Sequence, residues 1–204
     1  MNRIIFATGN TGKMKEIRMI LKDLGVPVIS MKEAGITVEI DENGTSFEEN
    51  AVIKAKTVME FTGEVVLADD SGLVIDYLNG EPGIYSARYM GEDTSYDIKN
   101  AAILRKMDGV PDEERTARFV CSIACAFPDG TTLTSQGIMN GLISHEIKGE
   151  NGFCYDPIFY LPECGCTFAE LEPERKNELS HRGKALREKK AQLATYLEHK
   201  NKIK

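Results

Sequence analysis

The chain opens on an apolar run, Ile4-Ile5-Phe6-Ala7. It gives way at once to Thr8-Gly9-Asn10-Thr11-Gly12-Lys13 and then to an amphipathic stretch. A short buried strand, a glycine turn and a helix in that order begin a βα unit, and a chain built from such units lays helices on the faces of a sheet. The same order leaves backbone N–H groups pointing outward at the helix start. With a lysine at its end, such a turn is a ready place for phosphate. Two nucleotide templates fail here. The P-loop pattern G-x-x-x-x-G-K-[ST] spaces its glycines more widely than Gly9 and Gly12, and Met14 stands where a hydroxyl would hold magnesium. The dinucleotide pattern G-x-G-x-x-G is absent. The glycines therefore serve a phosphate, or only the backbone geometry of a βα turn.

Further along, Ile17, Ile20, Leu21 and Leu24 recur at helical spacing and predict a helix over 14–24, stopped by Gly25 and Pro27. Residues 26–31 read as a second strand and 39–43 as an acidic loop. Ser46-Phe47-Glu48-Glu49 has the form of a capping box for a helix to about Thr62. Val65-Val66-Leu67-Ala68 and Leu73-Val74-Ile75 read as short strands, with a turn at Asp69-Asp70-Ser71-Gly72 between them. Thr94 and Asp97 are placed to cap a third helix. Residues 116–127 and 131–138 flank Pro128-Asp129-Gly130 as a long hairpin, and Gly137 and Gly141 bracket a bend. A last helix is expected from near Ser180 to about residue 199. Helices and strands alternate early and antiparallel strands dominate the middle. The expected class is α/β, one domain over 1–204 with a long mixed β-sheet flanked by helices.

With 204 residues and 42% hydrophobic content the chain can bury a substantial core. Its longest apolar runs are a few residues, too short for a membrane-spanning helix, and no secretory pattern precedes the first strand. Five cysteines at irregular spacings suggest no disulfide framework, which favours a reducing, cytoplasmic setting. Cys164-Gly165-Cys166 is too tight for a usual zinc pair. A net charge of −7 argues against a nucleic acid polymer as partner. A polyanionic ligand must instead find a local basic pocket or bring a divalent metal.

Four segments have side chains suited to chemistry. Adjacent Asp69 and Asp70 would point to opposite sides of an extended backbone, so both can face one ligand only if the chain turns, and Gly72 is placed to supply that turn. One of them then binds a metal or activates water; alternatively both merely cap the turn. The loop Glu39-Ile40-Asp41-Glu42 offers a further carboxylate for magnesium, which takes one or two and leaves the rest of its shell to water and phosphate. Phe153-Cys154-Tyr155-Asp156-Pro157, after Gly149 and Gly152, suits a planar ring held by stacking, or a loop anchored by its own aromatics. Lys176, Ser180, His181 and Arg182 surround a helix start. They would favour an anion or a base carbonyl, or form a capped helix with a solvated basic first turn.

Taken together, these segments resemble the inosine/xanthosine triphosphate pyrophosphatase family. The likeness runs in order through residues 7–13, Phe47-Glu48-Glu49-Asn50-Ala51, residues 68–73, residues 82–89, Thr116-Ala117-Arg118-Phe119, residues 153–159 and Ser180-His181-Arg182-Gly183. It implies two lobes around a central cleft, a homodimer, and magnesium-assisted hydrolysis of a purine nucleoside triphosphate between the α and β phosphates. It also implies that Thr8, Gly9, Asn10, Thr11, Gly12 and Lys13 cradle the triphosphate. Asp70 would hold magnesium or accept a proton from water, with Asp41 or Glu42 as second ligand, and Ser71 would touch substrate. Phe153 would stack on the base, Cys154, Tyr155 and Asp156 would shape its pocket, and Lys176, His181 and Arg182 would complete the contacts. One departure is plain: the family usually has glycine where this chain has Cys154, whose Cβ is expected to restrict the backbone or demand a negative φ. A broad or pyrimidine-directed pyrophosphatase, or a sensor without turnover, are the alternatives.

Overall fold

The computed structural model describes residues 3–202. Seven strands are seen among them: β1 (Ile4–Phe6), β2 (Val28–Ser30), β3 (Val66–Ile75), β4 (Thr116–Ala126), β5 (Thr132–Ile143), β6 (Phe159–Leu161) and β7 (Cys166–Thr167). They form one sheet in the order β2-β1-β3-β4-β5-β6-β7. β1 is parallel to β2 and β3, whereas β6 is antiparallel to β5 and β7, so the sheet is mixed as expected. The helices are α1 (Thr11–Leu21), α2 (Phe47–Thr62), α3 (Tyr96–Lys106), α4 (Pro173–Leu179) and α5 (His181–Lys202).

The chain gathers into two compact units. The described parts of Met1–Asp70, Cys121–Gly137 and His181–Lys204 make the first; Ser71–Val120 and Ile138–Ser180 make the second. In the first unit β1 and the start of β3 are buried on both faces, and their side chains alternate between two apolar clusters. Ile4, Phe6, Val65, Leu67 and Ile123 pack with Ile17 and Leu21 of α1 and Leu186 and Leu193 of α5. Ile5, Val66, Ala68 and Ala124 pack with Ala51, Ala55 and Val58 of α2. The second unit has its own core, with Leu73, Ile75, Ile103, Phe119, Phe159 and Phe168 at its centre.

Several expectations are corrected. There is no turn at residues 69–72: β3 runs through them from Val66 to Ile75, and both aspartates are buried. Asp, Ser and Gly are turn formers when their polarity must be met locally. Here it is met by side chains brought in from elsewhere. β5 likewise runs as one strand through its glycines, from Thr132 to Ile143. A Cβ at Gly137 would fall 2.0 Å from the carbonyl oxygen of His181, and one at Gly141 2.6 Å from that of Tyr160. These glycines admit a neighbouring backbone. α1 starts at Thr11, earlier than its apolar spacing suggests, because Asn10 caps it by accepting from Lys13 N–H at 3.0 Å. Ser95, not Thr94, caps α3. The C-terminal segment holds two helices, with the extended Ser180 between them.

Candidate active site

Strand alternation decides where the acid pair points. Asp69 follows Val65 and Leu67 toward the side of β3 packed with α1 and α5; Asp70 follows Val66 and Ala68 toward α2. Their partners agree. Lys13 Nζ lies 2.9 Å from Asp69 Oδ2, and the Arg182 guanidinium donates to the same oxygen through Nε at 3.3 Å and Nη2 at 3.2 Å. Arg182 also donates to the Glu16 carboxylate. On the other side, Asp70 accepts from Asn50 Nδ2 at 3.3 Å and from Lys54 Nζ at 3.1 Å, and Lys54 also donates to Glu42 Oε2 at 2.7 Å.

The electrostatics follow from these contacts. Burial pushes the Asp70 carboxyl above its ordinary range, with Lys54 and Lys13 pulling the other way and Asp69 adding to the rise. Burial also opposes charge on Lys54, but Asp70, Asp69 and Glu42 outweigh it and hold the ammonium above its usual value. Arg182 is wholly buried and kept charged by Asp69 and Glu16, which more than offset its desolvation.

The acidic loop contributes one carboxylate. Glu42 reaches Lys54, whereas Asp41 is exposed and accepts from Asn43 Nδ2 at 3.0 Å. Among the described residues no three His, Cys, Asp or Glu side chains gather as metal ligands. Two carboxylates that converge on one cationic point do fit magnesium in the form it takes beside a nucleotide, where phosphate oxygens and water fill the shell. The ammonium of Lys54 already marks a position of favourable cation potential between them.

The turn at residues 8–13 is tied by its own side chains. Thr8 Oγ1 accepts from Asn10 N–H at 3.1 Å, and Asn10 caps α1. Gly9 is exposed, and a Cβ there would meet nothing within 4 Å. Packing within the chain thus places no demand for glycine at that position.

In the second unit, Asp156 organises the aromatic turn. Its Oδ2 accepts from Phe153 N–H at 2.8 Å and from Lys176 Nζ at 2.6 Å, with both side chains of the ion pair 6% exposed. The Lys176 ammonium stands 4.7 Å from the Phe153 ring centroid and 5.0 Å from that of Phe168, in cation–π range. Gly152 has φ +120°, and a Cβ on it would strike Asp156 Oδ2 at 2.4 Å. Cys154 has φ +60°. It keeps the left-handed backbone that glycine favours and does not demand a negative φ. Tyr155 is buried, and its hydroxyl anchors the turn by donating to the Ser86 carbonyl at 2.7 Å.

The basic group expected at the last helix start is divided. Lys176 is committed to Asp156, and Arg182 to Asp69 and Glu16. None of Lys176, His181 and Arg182 is a solvated surface residue, since all three are buried. Ser71 lies half-buried on β3, at the start of the second unit. Asn50, Lys54 and Glu16 are absent from the sequence-derived set. A signal for two of them exists: Asn50 and Lys54 stand four apart among Ala51, Ala55 and Val58, where polar residues on an apolar helix face need a buried partner.

The sequence model of the Ham1 family matches residues 4–192. The chain belongs to the Ham1 family. Among relatives, it is 50% identical over 185 residues to the dITP/XTP pyrophosphatase of Desulforamulus reducens, covering 91% of this chain and 92% of that protein. It is 49% identical over 196 residues to the dITP/XTP pyrophosphatase of Vibrio parahaemolyticus, covering 95% and 98%. The Ham1 protein of Staphylococcus aureus has a similar structure, with a TM-score of 0.82 at 39% identity over 98% of this chain and 100% of that one. The HAM1 protein of Coxiella burnetii gives 0.83 at the same identity and coverage. The mixed α/β fold is therefore a Ham1 fold.

Proposed function

We propose that this Ham1-family chain hydrolyses nonstandard purine nucleoside triphosphates, ITP, dITP and XTP, to the monophosphate and pyrophosphate, clearing deaminated purines from the nucleotide pool. The observation that carries the reading is the convergence of Glu42 and Asp70 on one cation, at 2.7 and 3.1 Å from Lys54 Nζ. The relatives named dITP/XTP pyrophosphatase support the reaction and its substrate class.

The triphosphate is assigned to the turn at residues 8–13, where an open glycine and the N–H groups of the α1 start suit anionic oxygens, with Lys13 offsetting their charge. Glu42 and Asp70 are the residues that would hold magnesium, which when bound supplies charge stabilisation on the phosphate oxygens. Asp70 orients the attacking water and takes its proton; a carboxylate raised by burial is a better acceptor than an ordinary one. Lys54 and Asn50 fix that carboxylate, and Ser71 touches the substrate beside it. Arg182 works through Asp69, holding the group that positions Lys13.

The base is assigned to residues 152–156, with Phe153 as stacking surface, Cys154, Tyr155 and Asp156 shaping its pocket, and Lys176 completing the contacts. Hypoxanthine and xanthine present a carbonyl acceptor at position 6 and an N–H donor at position 1, and adenine the reverse. A site built for the first edge leaves buried groups unpaired with the second, which can reach roughly 10⁴-fold discrimination. Guanine shares the favoured edge, so its 2-amino group must be rejected separately. The chain is further proposed to act as a cytoplasmic homodimer, the setting that five free thiols favour.

Pyrophosphate release across ITP, dITP, XTP, ATP, GTP and a pyrimidine triphosphate, with and without magnesium, tests this. High kcat/KM for the first three and far lower values for the others are expected. Equal values across the panel would indicate a broad pyrophosphatase, and tight binding without release a sensor.

A further inference from the structure

The turn at residues 152–156 holds a conformation its sequence does not favour. At φ +60° the Cβ of Cys154 crowds the adjoining backbone. Such a residue persists only where its surroundings over-determine it. Phe153 N–H donates to Asp156 at 2.8 Å, and the Tyr155 hydroxyl to the Ser86 carbonyl at 2.7 Å. A third bond bears on the strained residue directly: Asn100 Nδ2, on α3, donates to the Cys154 carbonyl at 3.0 Å.

Asn100 is 2% exposed, and its Oδ1 is buried with no partner among the described residues. A buried amide with its acceptor unmet is costly, and a leucine of similar size would avoid that cost. What the position supplies is the donor. Its orientation is fixed too, because a reversed amide would set oxygen against the Cys154 carbonyl. The helix that carries it is itself pinned. Neighbouring Lys99, 1% exposed, donates to the Ala87 carbonyl at 2.7 Å, next to the carbonyl that anchors Tyr155, and stands 4.8 Å from the Tyr96 ring centroid. Tyr96 in turn meets Tyr155 edge-on at 5.2 Å.

From this we infer that Asn100 is a positioning residue for base selectivity: by holding the Cys154 carbonyl it keeps the left-handed turn that sets the Phe153 ring and so fixes where a stacked base lies. The inference rests on the reading that residues 152–156 receive the base. Lys13, Glu42, Lys54 and Asp70 belong neither to α3 nor to this turn. Loss of the bond therefore falls on base discrimination and on KM, and spares kcat at saturating nucleotide.

The test is kcat and KM for dITP and dATP in the wild type, in Asn100→Leu, and in Asn100→Leu combined with Cys154→Gly. A wild type without preference for dITP refutes the reading of the turn and this inference with it. Given that preference, Asn100→Leu lowers the dITP to dATP ratio of kcat/KM by on the order of tenfold, through KM, with kcat for dITP within about twofold of wild type. Cys154→Gly in the same chain recovers most of the ratio, because glycine adopts the turn without the bond. A wild-type ratio in Asn100→Leu, or an equal loss of kcat for both nucleotides, overturns the role of Asn100 while leaving the function standing. If Asn100→Leu does not fold, Asn100→Ser, whose hydroxyl is too short to reach the carbonyl, is judged by the same ratio and the same glycine rescue.

Discussion

Asp69 and Asp70 are neighbours on β3 and turn to different helices: Asp69 to Lys13 of α1 and Arg182 of α5, Asp70 to Asn50 and Lys54 of α2. An extended backbone imposes that division. One acid becomes the centre of a neutralised, buried cluster, and the other retains a raised carboxyl beside an ammonium.

Their asparagine variants should therefore fail in different ways. Asp70→Asn keeps the shape but removes the proton acceptor and sets an NH2 against Asn50 Nδ2 or Lys54 Nζ, both of which donate to the carboxylate, and kcat should fall by on the order of 10²- to 10⁴-fold. Asp69→Asn leaves Arg182 buried with half its counter-charge and should lower stability by about 3 kcal/mol. Denaturant unfolding and single-substrate turnover on both variants check this. Wild-type turnover in Asp70→Asn would remove it from the mechanism.

Lys54→Met takes the cation from between Glu42 and Asp70. Two carboxylates left facing one point repel each other, and a divalent ion relieves that repulsion more than it helps a site already holding an ammonium. Magnesium should thus raise the Tm of Lys54→Met by more than that of wild type, while the variant's kcat falls. Equal magnesium shifts in the two proteins would mean that the carboxylates do not share a cation.

At residues 152–156 two neighbouring substitutions should have opposite signs. Cys154→Gly relieves a left-handed L-residue and should stabilise the fold by about 1 kcal/mol, the entropy of glycine in the unfolded chain offsetting part of the gain. Gly152→Ala introduces a Cβ at a strained φ of +120°, 2.4 Å from Asp156 Oδ2 and 2.9 Å from Lys176 Nζ, so the buried Lys176–Asp156 pair must shift to admit it. A loss of about 3 kcal/mol is expected. Thermal melts of both decide the matter.

The parts of the site that could be read from sequence are those whose cause is local. The passage from strand to helix at residues 8–13 follows from an apolar run and a cap at Asn10, and the aromatic turn from Gly149 and Gly152 ahead of Phe153 and Tyr155. What misled was polarity satisfied at long range. Asp69 to Gly72 has the composition of a turn, yet its first carboxylate is met by Arg182, 113 residues away. A lysine on a helix is ordinarily solvated, so Lys54 is conspicuous only once α2 is seen to bury the alanines around it. Cys154 was legible as an anomaly, but not its outcome, because the bond from Asn100 that accompanies the left-handed backbone comes from α3.

Away from the site, Glu33 makes stability depend on acid. The guanidinium of Arg18 and the N–H and hydroxyl of Ser30 hold its carboxylate down from an ordinary 4.5 to about 2. A carboxyl with a depressed folded pKa binds fewer protons folded than unfolded. Its contribution is complete above the unfolded value and disappears as pH falls through the folded one. Glu33→Gln removes that contribution and leaves other groups in place. The wild type should melt above the variant from neutral pH down to about 5, and the gap should narrow steadily and close near pH 2. A gap that stays constant across that range would mean that Glu33 stabilises through packing or neutral hydrogen bonds rather than through its charge.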